Sequence, residues 1–101
     1  MIDFDLKTKY TIDRTSEFKK QFKKVVKQGK NINKFLEVLE KLANGKVLEN
    51  SYRDHGLIND KYYKNCRECH IEPDLLLIYQ YQDTKLILLL IGIGSHSELF
   101  K

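Results

Sequence analysis

The sequence predicts an α+β fold in which two helices pack on a mainly antiparallel sheet of four strands, in the order β-α-α-β-β-β. Two observations predict it. Apolar residues recur at helical spacing in two segments between residues 15 and 44, and three strand-like segments with short links follow after residue 62. A chain of 101 residues has room for one hydrophobic core, so we expect residues 1–101 to form a single domain.

The first predicted elements are a strand over residues 7–12 and a helix that follows Thr15. The strand segment is rich in β-branched and aromatic residues. Thr15 is a suitable N-cap, and Gly29 is placed to end the helix. The apolar face of this helix consists of Phe18, Phe22, Val25 and Val26, and its opposite face carries Lys20, Lys23, Lys24 and Lys27.

A second amphipathic helix follows, with Asn31 or Asn33 as its N-cap. Its apolar face consists of Ile32, Phe35, Leu36, Leu39 and Leu42. The Asn44-Gly45 pair is expected to end it. Two amphipathic helices are therefore available to cover one face of the predicted sheet.

Residues 46–62 are predicted to form a long polar connection, of the kind that often carries function. Three strands follow, over residues 63–71, 75–81 and 85–91. The links between these strands are so short that neighbouring strands must be antiparallel. The middle strand is apolar on both sides, as expected where helices cover one face of a sheet and the other face is partly covered.

The net charge is modest, but the charges are unevenly distributed. Eighteen Lys and Arg residues and fourteen Asp and Glu residues give +4, and eleven lysines fall within residues 1–46. A basic half is typical of a protein that binds a polyanion or an acidic partner, although a solvated lysine face gives the same pattern. The sequence starts with an acidic segment rather than a secretory signal, and its longest apolar stretch is interrupted by polar residues. These features predict a cytoplasmic protein with reduced cysteines and no membrane partner.

The run Cys66-Arg67-Glu68-Cys69-His70 matches the pattern for covalent attachment of c-type haem. Three observations count against haem: no export signal is found, the only methionine is Met1, and the motif lies in a strand pattern. Side chains alternate along a strand, so Cys66 and Cys69 are expected on opposite faces of the sheet. The same geometry disfavours a zinc site and a disulfide. We therefore expect no cofactor and no metal.

The three histidines lie in short polar segments of the second half of the chain, and carboxylates accompany them. Glu68 and His70, two residues apart in a strand, share one face. The expected cluster consists of His55, Glu68, His70, Asp74 and His96, with Phe100 one helical turn beyond. Imidazoles and carboxylates gathered on one concave surface are suited to proton transfer near neutral pH.

Such a set without a metal cage suits RNA cleavage. RNA carries its own nucleophile, the 2′-hydroxyl, which attacks the adjacent phosphorus while one group removes its proton and another protonates the leaving 5′-oxygen. A cationic group would stabilise the charge on the phosphate oxygens. Structural alternatives stay open for each residue: a hydrogen-bonded histidine, a turn carboxylate at Asp74, a solvated strand residue at Glu68 and a core aromatic at Phe100.

Three segments resemble motifs of a known family, the YafQ-type toxins within the RelE group of bacterial type II toxin–antitoxin modules. The segments are Tyr52-Arg53-Asp54-His55-Gly56-Leu57, Arg67-Glu68-Cys69-His70-Ile71-Glu72-Pro73-Asp74-Leu75-Leu76-Leu77-Ile78-Tyr79 and Gly94-Ser95-His96-Ser97-Glu98-Leu99-Phe100. Their order and spacing agree with the family over about residues 50–101, and the helical half agrees in pattern only.

The resemblance implies a RelE-like fold and a ribosome-dependent endoribonuclease that cuts mRNA in the ribosomal A site and is held inactive by a cognate antitoxin. The implied active-site residues are His55, Glu68, His70, Asp74, His96 and Phe100. Of these, His96 would be the general acid, and Asp74 and His70 would orient or activate the 2′-hydroxyl. His55 would hold phosphate, and Phe100 would support a base or the His96 loop.

We also expect RNA-binding residues outside the catalytic set, which are Lys20, Lys23, Lys24, Lys27 and Arg53. The ribosome with its rRNA, the mRNA and the antitoxin are thus the expected partners. The chain departs from the family at three positions. Glu68 stands where many members have aspartate, and Asn59 and Leu75 replace a glycine and a tryptophan, which leaves the loop contacts and the codon preference open.

Two other interpretations stay open. The RelE fold is shared with ParE-type toxins, which poison DNA gyrase and cut no RNA. A non-catalytic binder of that kind would leave the histidine–carboxylate set without a purpose. The second alternative is a nuclease that acts without the ribosome.

Overall fold

A mixed sheet of five strands forms the framework of the chain in the computed structural model, which describes residues 4 and 7–100. The strands are β1 (Thr11–Arg14), β2 (His55–Gly56), β3 (Arg67–Glu72), β4 (Leu75–Gln82) and β5 (Ile87–Gly94), in the spatial order β1-β5-β4-β3-β2. The helices are α1 (Ser16–Lys27), α2 (Ile32–Ala43) and the short α3 (His96–Leu99). The predicted α+β class is confirmed, with one short strand and one short helix more than expected.

The edge strand β1 lies parallel to β5, and the other neighbouring strands are antiparallel. It begins at Thr11, so the predicted strand over residues 7–12 was placed too early. Residues 8–10 form bends, and the Thr8 hydroxyl donates to the Tyr10 carbonyl at 2.8 Å. Tyr10 explains the error, because its aromatic ring is buried in the core although the residue belongs to no strand.

Helix α1 begins and ends as the sequence predicts. Thr15 Oγ1 accepts a hydrogen bond from the Phe18 N–H at 3.0 Å, and Gly29 follows the helix with φ 72°. Phe18 and Val25 are buried, but Val26 is 47% exposed, so its predicted place in the core was wrong. At 3.6 residues per turn, Val26 lies about 80° around the helix from Phe18, whereas Val25 lies within about 20° of it.

Asn31 is the N-cap of helix α2, since its side chain accepts from a backbone N–H three residues later at 3.1 Å. Of the two candidate caps, Asn33 was therefore the wrong one. The helix ends at Asn44 as predicted. Val38 is fully buried although the sequence pattern did not assign it to the core. It follows Phe35 by three residues and therefore lies on the same face of the helix.

Strand β4 lies at the centre of the sheet and separates two apolar layers. The main core lies between the sheet and the helices α1 and α2, and it includes Phe18, Phe35, Leu77 and Tyr79. The second layer lies on the opposite face and consists of Cys66, Leu76, Ile78 and Leu99. Residues 75–79 are all buried, which confirms a middle strand that is covered on both sides.

The two cysteines lie on opposite faces of the sheet, as strand alternation predicts. Cys69 belongs to the main core, and Cys66 belongs to the second layer. Both are free thiols, and burial raises the pKa of each. Thiols that point away from each other cannot close a disulfide or share a metal ion.

The connection between α2 and β3 contains more structure than the sequence predicts. Residues 50–52 form a 3-10 turn, and β2 pairs with β3. The strand predicted over residues 63–71 begins only at Arg67. The preceding residues are held in a turn, because Asp60 accepts hydrogen bonds from the N–H groups of Tyr62 and Tyr63, both at 2.9 Å.

Strand β5 continues to Gly94, beyond the predicted end at residue 91. A bulge at Ile91 lets it do so, since Ile78 pairs with Gly92 and Tyr79 pairs with Leu90. The strand thereby leads directly into α3. Within the part of the chain that the structure describes, no helix has the length and apolarity needed to cross a membrane.

Candidate active site

Three of the predicted site residues meet on the face of the sheet that α1 and α2 leave uncovered. Glu68 and His70 alternate along β3 with the core residues Cys69 and Ile71, so they point to the opposite face. His55 stands directly opposite Glu68 in the β2–β3 pair. Directly opposed residues on neighbouring strands share a face, so the pairing of β2 brings His55 to this group.

Glu68 is the buried centre of the group, with 5% of its surface exposed. Its Oε1 atom lies 3.1 Å from His70 Nε2 and 3.9 Å from His55 Nε2. A carboxylate removed from water needs polar partners, and the two imidazoles supply them. Glu68 is therefore not the solvated strand residue that the alternative interpretation described. It hydrogen-bonds to His70 and lies close enough to His55 for charge interaction.

His55 and His70 differ in exposure and in their second contacts. The side chain of His55 is 52% exposed, and that of His70 is 22% exposed. His55 Nδ1 lies 2.7 Å from the backbone carbonyl oxygen of Arg53. Arg53 itself has a left-handed backbone with φ 50°, which non-glycine residues rarely adopt. The more exposed histidine is thus anchored through the backbone, and the more buried one through Glu68.

Helix α3 and the residue that follows it supply two more of the predicted residues, His96 and Phe100. Ser95 caps the helix: its hydroxyl accepts from the Glu98 N–H at 3.3 Å, while Glu98 Oε1 accepts from the Ser95 N–H at 3.0 Å. The exposed imidazole of His96 stacks on the Phe100 ring, with centroids 4.9 Å apart and planes 30° apart. The Phe100 ring therefore supports one face of the His96 imidazole.

Tyr63 holds the end of α3 against the sheet. Its ring meets Phe100 edge to face at 5.4 Å between centroids, and its hydroxyl donates to the Leu99 carbonyl at 2.8 Å. Leu99 is buried in the second apolar layer beside Leu76 and Ile78. Because Glu68 and His70 lie on the same face as that layer, α3 presents His96 on the same side of the sheet.

Asp74 stands apart from the Glu68 group, in the turn that joins β3 to β4. Its side chain is 77% exposed, and a carboxylate oxygen lies 3.9 Å from Lys30 Nζ. Together with Gly94 and Ser95, among others, Asp74 lines a cavity of about 310 Å³ at the base of α3. The structure thus places this carboxylate on the α3 side of the site.

The four lysines predicted to bind RNA are all exposed on α1. One of them, Lys24, forms an ion pair with Glu98 that ties α1 to α3. Hydrogen bonds from Lys24 and from the Ser95 backbone and hydroxyl lower the pKa of Glu98 to about 2. The sequence predicts Lys24 as an RNA-binding residue. In the structure its ammonium group is paired with a carboxylate of the same chain.

Arg53 borders a cleft of about 340 Å³ that opens beside His70. Lys34 of α2 and the ring of Tyr52 also line it, and Lys34 Nζ lies 5.8 Å from the centre of that ring. Sequence reasoning missed Lys34, because helical periodicity alone places it among the ordinary solvated lysines. Two cations beside a histidine are suited to holding an RNA backbone.

Sequence reasoning also missed a polar network behind His55. Asp54 Oδ1 accepts a hydrogen bond from the hydroxyl of Tyr79, and Oδ2 accepts from Arg67 Nη2 at 3.2 Å. Tyr79 is fully buried in the main core, and burial together with the Asp54 hydrogen bond raises its pKa. Arg67 and Tyr79 stand opposite each other in the β3–β4 pair. The register of that hairpin could therefore have revealed that the two side chains lie together.

The arrangement offers imidazoles that can accept or donate protons, a carboxylate that orients one of them and cations suited to binding a phosphate. Within residues 4 and 7–100, no group of three His, Cys, Asp or Glu side chains is arranged to hold a metal ion.

Comparison with known proteins finds bacterial toxins. Residues 10–101 match the family model described as the bacterial toxin YafQ of type II toxin–antitoxin systems. The mRNA interferase toxin YafQ of Escherichia coli strain B / BL21-DE3 is 33% identical over 90 residues, which cover 88% of this chain and 94% of that protein.

Solved structures agree with the sequence matches. A metal-bound toxin from Helicobacter pylori is 41% identical and superposes with a TM-score of 0.82, covering 90% of this chain and 99% of that one. In the DinJ–YafQ complex of Escherichia coli, the matching chain is 32% identical with a TM-score of 0.80, covering 91% of this chain and 99% of that one.

Proposed function

Because the chain belongs to the YafQ family of bacterial type II toxins, we propose that it is an endoribonuclease that cleaves mRNA in the ribosomal A site and is neutralised by a cognate antitoxin. The relative from Escherichia coli is named an mRNA interferase, which is an endoribonuclease. The observation that carries the proposal is the buried Glu68 carboxylate between His55 and His70, on the face where α3 presents His96.

The reaction needs no atom beyond those of RNA and the side chains. The 2′-hydroxyl loses its proton and attacks the adjacent phosphorus. The bond from phosphorus to the 5′-oxygen then breaks, and that oxygen takes a proton from the enzyme. The products are a 2′,3′-cyclic phosphate and a 5′-hydroxyl. An enzyme for this step must supply a base, an acid and positive charge near the phosphate.

His96 is the general acid in this proposal. Its imidazole is exposed and stacked on Phe100, so the ring is held by an aromatic wall while its edge stays open to RNA. Histidine suits the role because it gains and loses a proton near neutral pH. Phe100 acts through the ring that it positions.

His70 and Asp74 are proposed to orient or activate the 2′-hydroxyl, and His55 to hold the phosphate. His70 has the support for this role, because its Nε2 is hydrogen-bonded to the buried Glu68. The ion pair of Asp74 with Lys30 is largely exposed and long, so RNA can displace it at little cost. The contact with Glu68 fixes the orientation of the His70 ring.

RNA binding is proposed to involve two basic surfaces. One is the cleft beside His70, where Arg53 and Lys34 lie. The other is the exposed lysine face of α1, directed at rRNA. Reversing Lys20 and Lys27 to glutamate should weaken ribosome association, most strongly at low salt, because phosphate contacts release counterions. Equal association of the parent and this variant at every salt concentration would make these lysines an ordinary solvated face.

Primer extension on a translated reporter mRNA tests the function directly. The parent, His96→Ala and a reaction without ribosomes are compared in a purified translation system. We expect cuts within codons for the parent with ribosomes, and none in the other two reactions. Cuts without ribosomes would indicate an independent nuclease. In cells that express the chain, growth inhibition with intact mRNA and altered DNA supercoiling would indicate a gyrase-binding toxin instead.

The antitoxin is proposed from the DinJ–YafQ complexes of the relatives. With a net charge of +4, the chain suits a partner with an acidic or amphipathic segment. We propose that this segment covers the basic surface or displaces α3, so that antitoxin and ribosome compete. The neighbouring gene should encode a small protein that suppresses toxicity when co-expressed. Simultaneous binding of both partners would refute the competition.

A further inference from the structure

The two ring nitrogens of His55 have different partners. Nδ1 lies 2.7 Å from the carbonyl oxygen of Arg53, and Nε2 lies 3.9 Å from Glu68 Oε1. A carbonyl oxygen only accepts hydrogen bonds, so the short contact requires a proton on Nδ1. In the neutral ring, Nε2 then carries the lone pair, on the side of the site.

This tautomer depends on the backbone before His55. Arg53, whose carbonyl meets the ring, has a left-handed backbone with φ 50° and ψ 40°. A non-glycine residue keeps such a conformation when the surrounding structure holds it there. The residue between Arg53 and His55 is Asp54, so whatever fixes Asp54 also fixes both neighbours.

Asp54 is fixed from two strands. The hydroxyl of Tyr79 and the guanidinium of Arg67 each donate to one of its carboxylate oxygens. Arg67 stands directly opposite Tyr79 in the β3–β4 pair and opposite Gly56 in the β2–β3 pair. Tyr79 is fully buried, and its ring packs edge to face on Tyr81 at 5.6 Å between centroids. The carboxylate is therefore attached to a fully buried and closely packed part of the sheet.

We propose that Asp54, held by Tyr79 and Arg67, is a positioning residue that fixes the direction and the tautomer of His55. It keeps the Nδ1 proton on the Arg53 carbonyl and leaves Nε2 as the nitrogen that meets RNA, where it donates to phosphate once the ring carries its second proton. An orienting carboxylate of this kind usually bonds to the imidazole itself. Here it acts on the backbone carbonyl that holds the imidazole. The tautomer follows from the geometry alone, and its value for cleavage rests on the proposed function.

The matched pair Tyr79→Phe and Tyr81→Phe tests the proposal. Each substitution removes one hydroxyl from β4 and one hydrogen bond, to Asp54 in the first case and to the Leu42 carbonyl in the second. Long-range ¹⁵N–¹H spectra of the imidazoles report which nitrogen of His55 is protonated. We expect a new population protonated on Nε2 in Tyr79→Phe and an unchanged His55 in Tyr81→Phe.

Cleavage provides the second readout. Tyr79→Phe should lower kcat for ribosome-bound mRNA by about tenfold or more, the scale seen when a group that orients a site residue is lost. Its pH–rate profile should change as well, whereas Tyr81→Phe should keep the parent's profile. If Tyr79→Phe does not fold, Arg67→Met tests the proposal in its place, because it removes the other donor to Asp54. The Arg67 side chain is 42% exposed, so its loss spares the core.

Three results would overturn the proposal. The His55 tautomer could stay unchanged in both Tyr79→Phe and Arg67→Met, or shift equally in Tyr81→Phe, which would indicate general loosening of the sheet. An unchanged kcat despite a shifted tautomer would show that the His55 tautomer does not affect cleavage. A parent protein that cuts no mRNA refutes the proposed function instead, since the spectra are recorded without RNA.

Discussion

The β2–β3 edge and helix α3 hold their histidines in opposite ways. His55 and His70 belong to strands and share the buried Glu68, and His55 follows Asp54, which bonds to a tyrosine in the main core. His96 belongs to a helix of four residues, held by its capping box, by Leu99 and by an exposed ion pair with Lys24. The sheet half of the site thus consists of His55, Glu68 and His70. The attached half consists of His96 and Phe100, which side-chain contacts of α3 join to the sheet.

The two halves therefore respond to different changes. Glu68 and His70 alternate along β3 with closely packed core residues, so the backbone that carries them is preset. The α3 half depends on contacts near the surface, which salt, pH and a binding partner can reach. In the proposed mechanism the two halves act together, so we expect α3 to be the place where a binding partner can switch the site off.

The largest effect is expected when the proposed proton donor of the attached half is removed. His96→Ala should reduce mRNA cleavage by about 10²- to 10⁴-fold, the usual contribution of a general acid. Thermal unfolding should barely change, because the His96 side chain is exposed. Ser97→Ala, at the exposed neighbouring position, is the matched control. Cleavage by a folded His96→Ala protein at the parent's rate would show that the general acid lies elsewhere.

A smaller loss is expected from the sheet half when the shared carboxylate is neutralised. Glu68→Gln keeps the shape of the side chain but removes the carboxylate that bonds to His70 and lies beside His55. We expect kcat to fall by about 10- to 100-fold, as for other groups that orient site residues. Glu49→Gln, an exposed carboxylate on the surface, is the control. Equal rates for the two variants would show that Glu68 has a structural role only.

A still smaller effect should separate positioning from RNA binding at Lys24. Lys24→Met breaks the ion pair with Glu98 and loosens α3, so kcat should fall a few-fold with ribosome association retained. Lys23→Met, on the same exposed face, should affect association alone. Isothermal titration calorimetry measures ribosome association, and single-turnover kinetics measure the cleavage rate, so the two effects can be distinguished. If both variants weaken association equally and leave kcat unchanged, Lys24 is a phosphate ligand like its neighbour.

The smallest effect is a pH dependence of the attached half. The pKa of Glu98 is lowered from 4.5 to about 2 by its bonds to Lys24 and Ser95. A depressed pKa in the folded state stabilises α3 above about pH 4.5, and this stabilisation is lost as the pH falls towards 2. NMR signals of α3 should therefore shift in that window before β3 signals do. Glu98→Gln should abolish the shift, and an identical titration in that variant would assign it to another group.

Local signals in the sequence predicted most of the helices and strands. Thr15 and Asn31 cap helices, and the turn at residues 73–74 sets an antiparallel hairpin, because each of these features depends on neighbours a few residues away. The strand β2 and the helix α3 were not predicted, since two and four residues are too short to show periodicity. The parallel pairing of β1 with β5 depends on distant residues and leaves no local pattern.

The candidate site was predictable where strand alternation decides it. The shared face of Glu68 and His70 follows from their spacing in β3. The roles of Lys24 and Asp54 do not follow from any spacing, because their partners lie 74 and 25 residues away. Asn59, which replaces a glycine common in the family, has φ 59°. Asparagine tolerates that conformation better than most residues, so the loop keeps its turn without the glycine.

Strand β5 lies between β1 and β4 and so joins the early and late parts of the sequence. Thr15, at the start of α1, hydrogen-bonds to Ile91, which lies 76 residues later. Until the ribosome has made residues 87–94, β1 has no neighbour and α1 lacks the strand against which it packs. Such distant contacts form late and together. The sheet of the proposed nuclease can therefore assemble only after residue 94 has been translated, and we expect a chain that stops earlier to leave mRNA uncut.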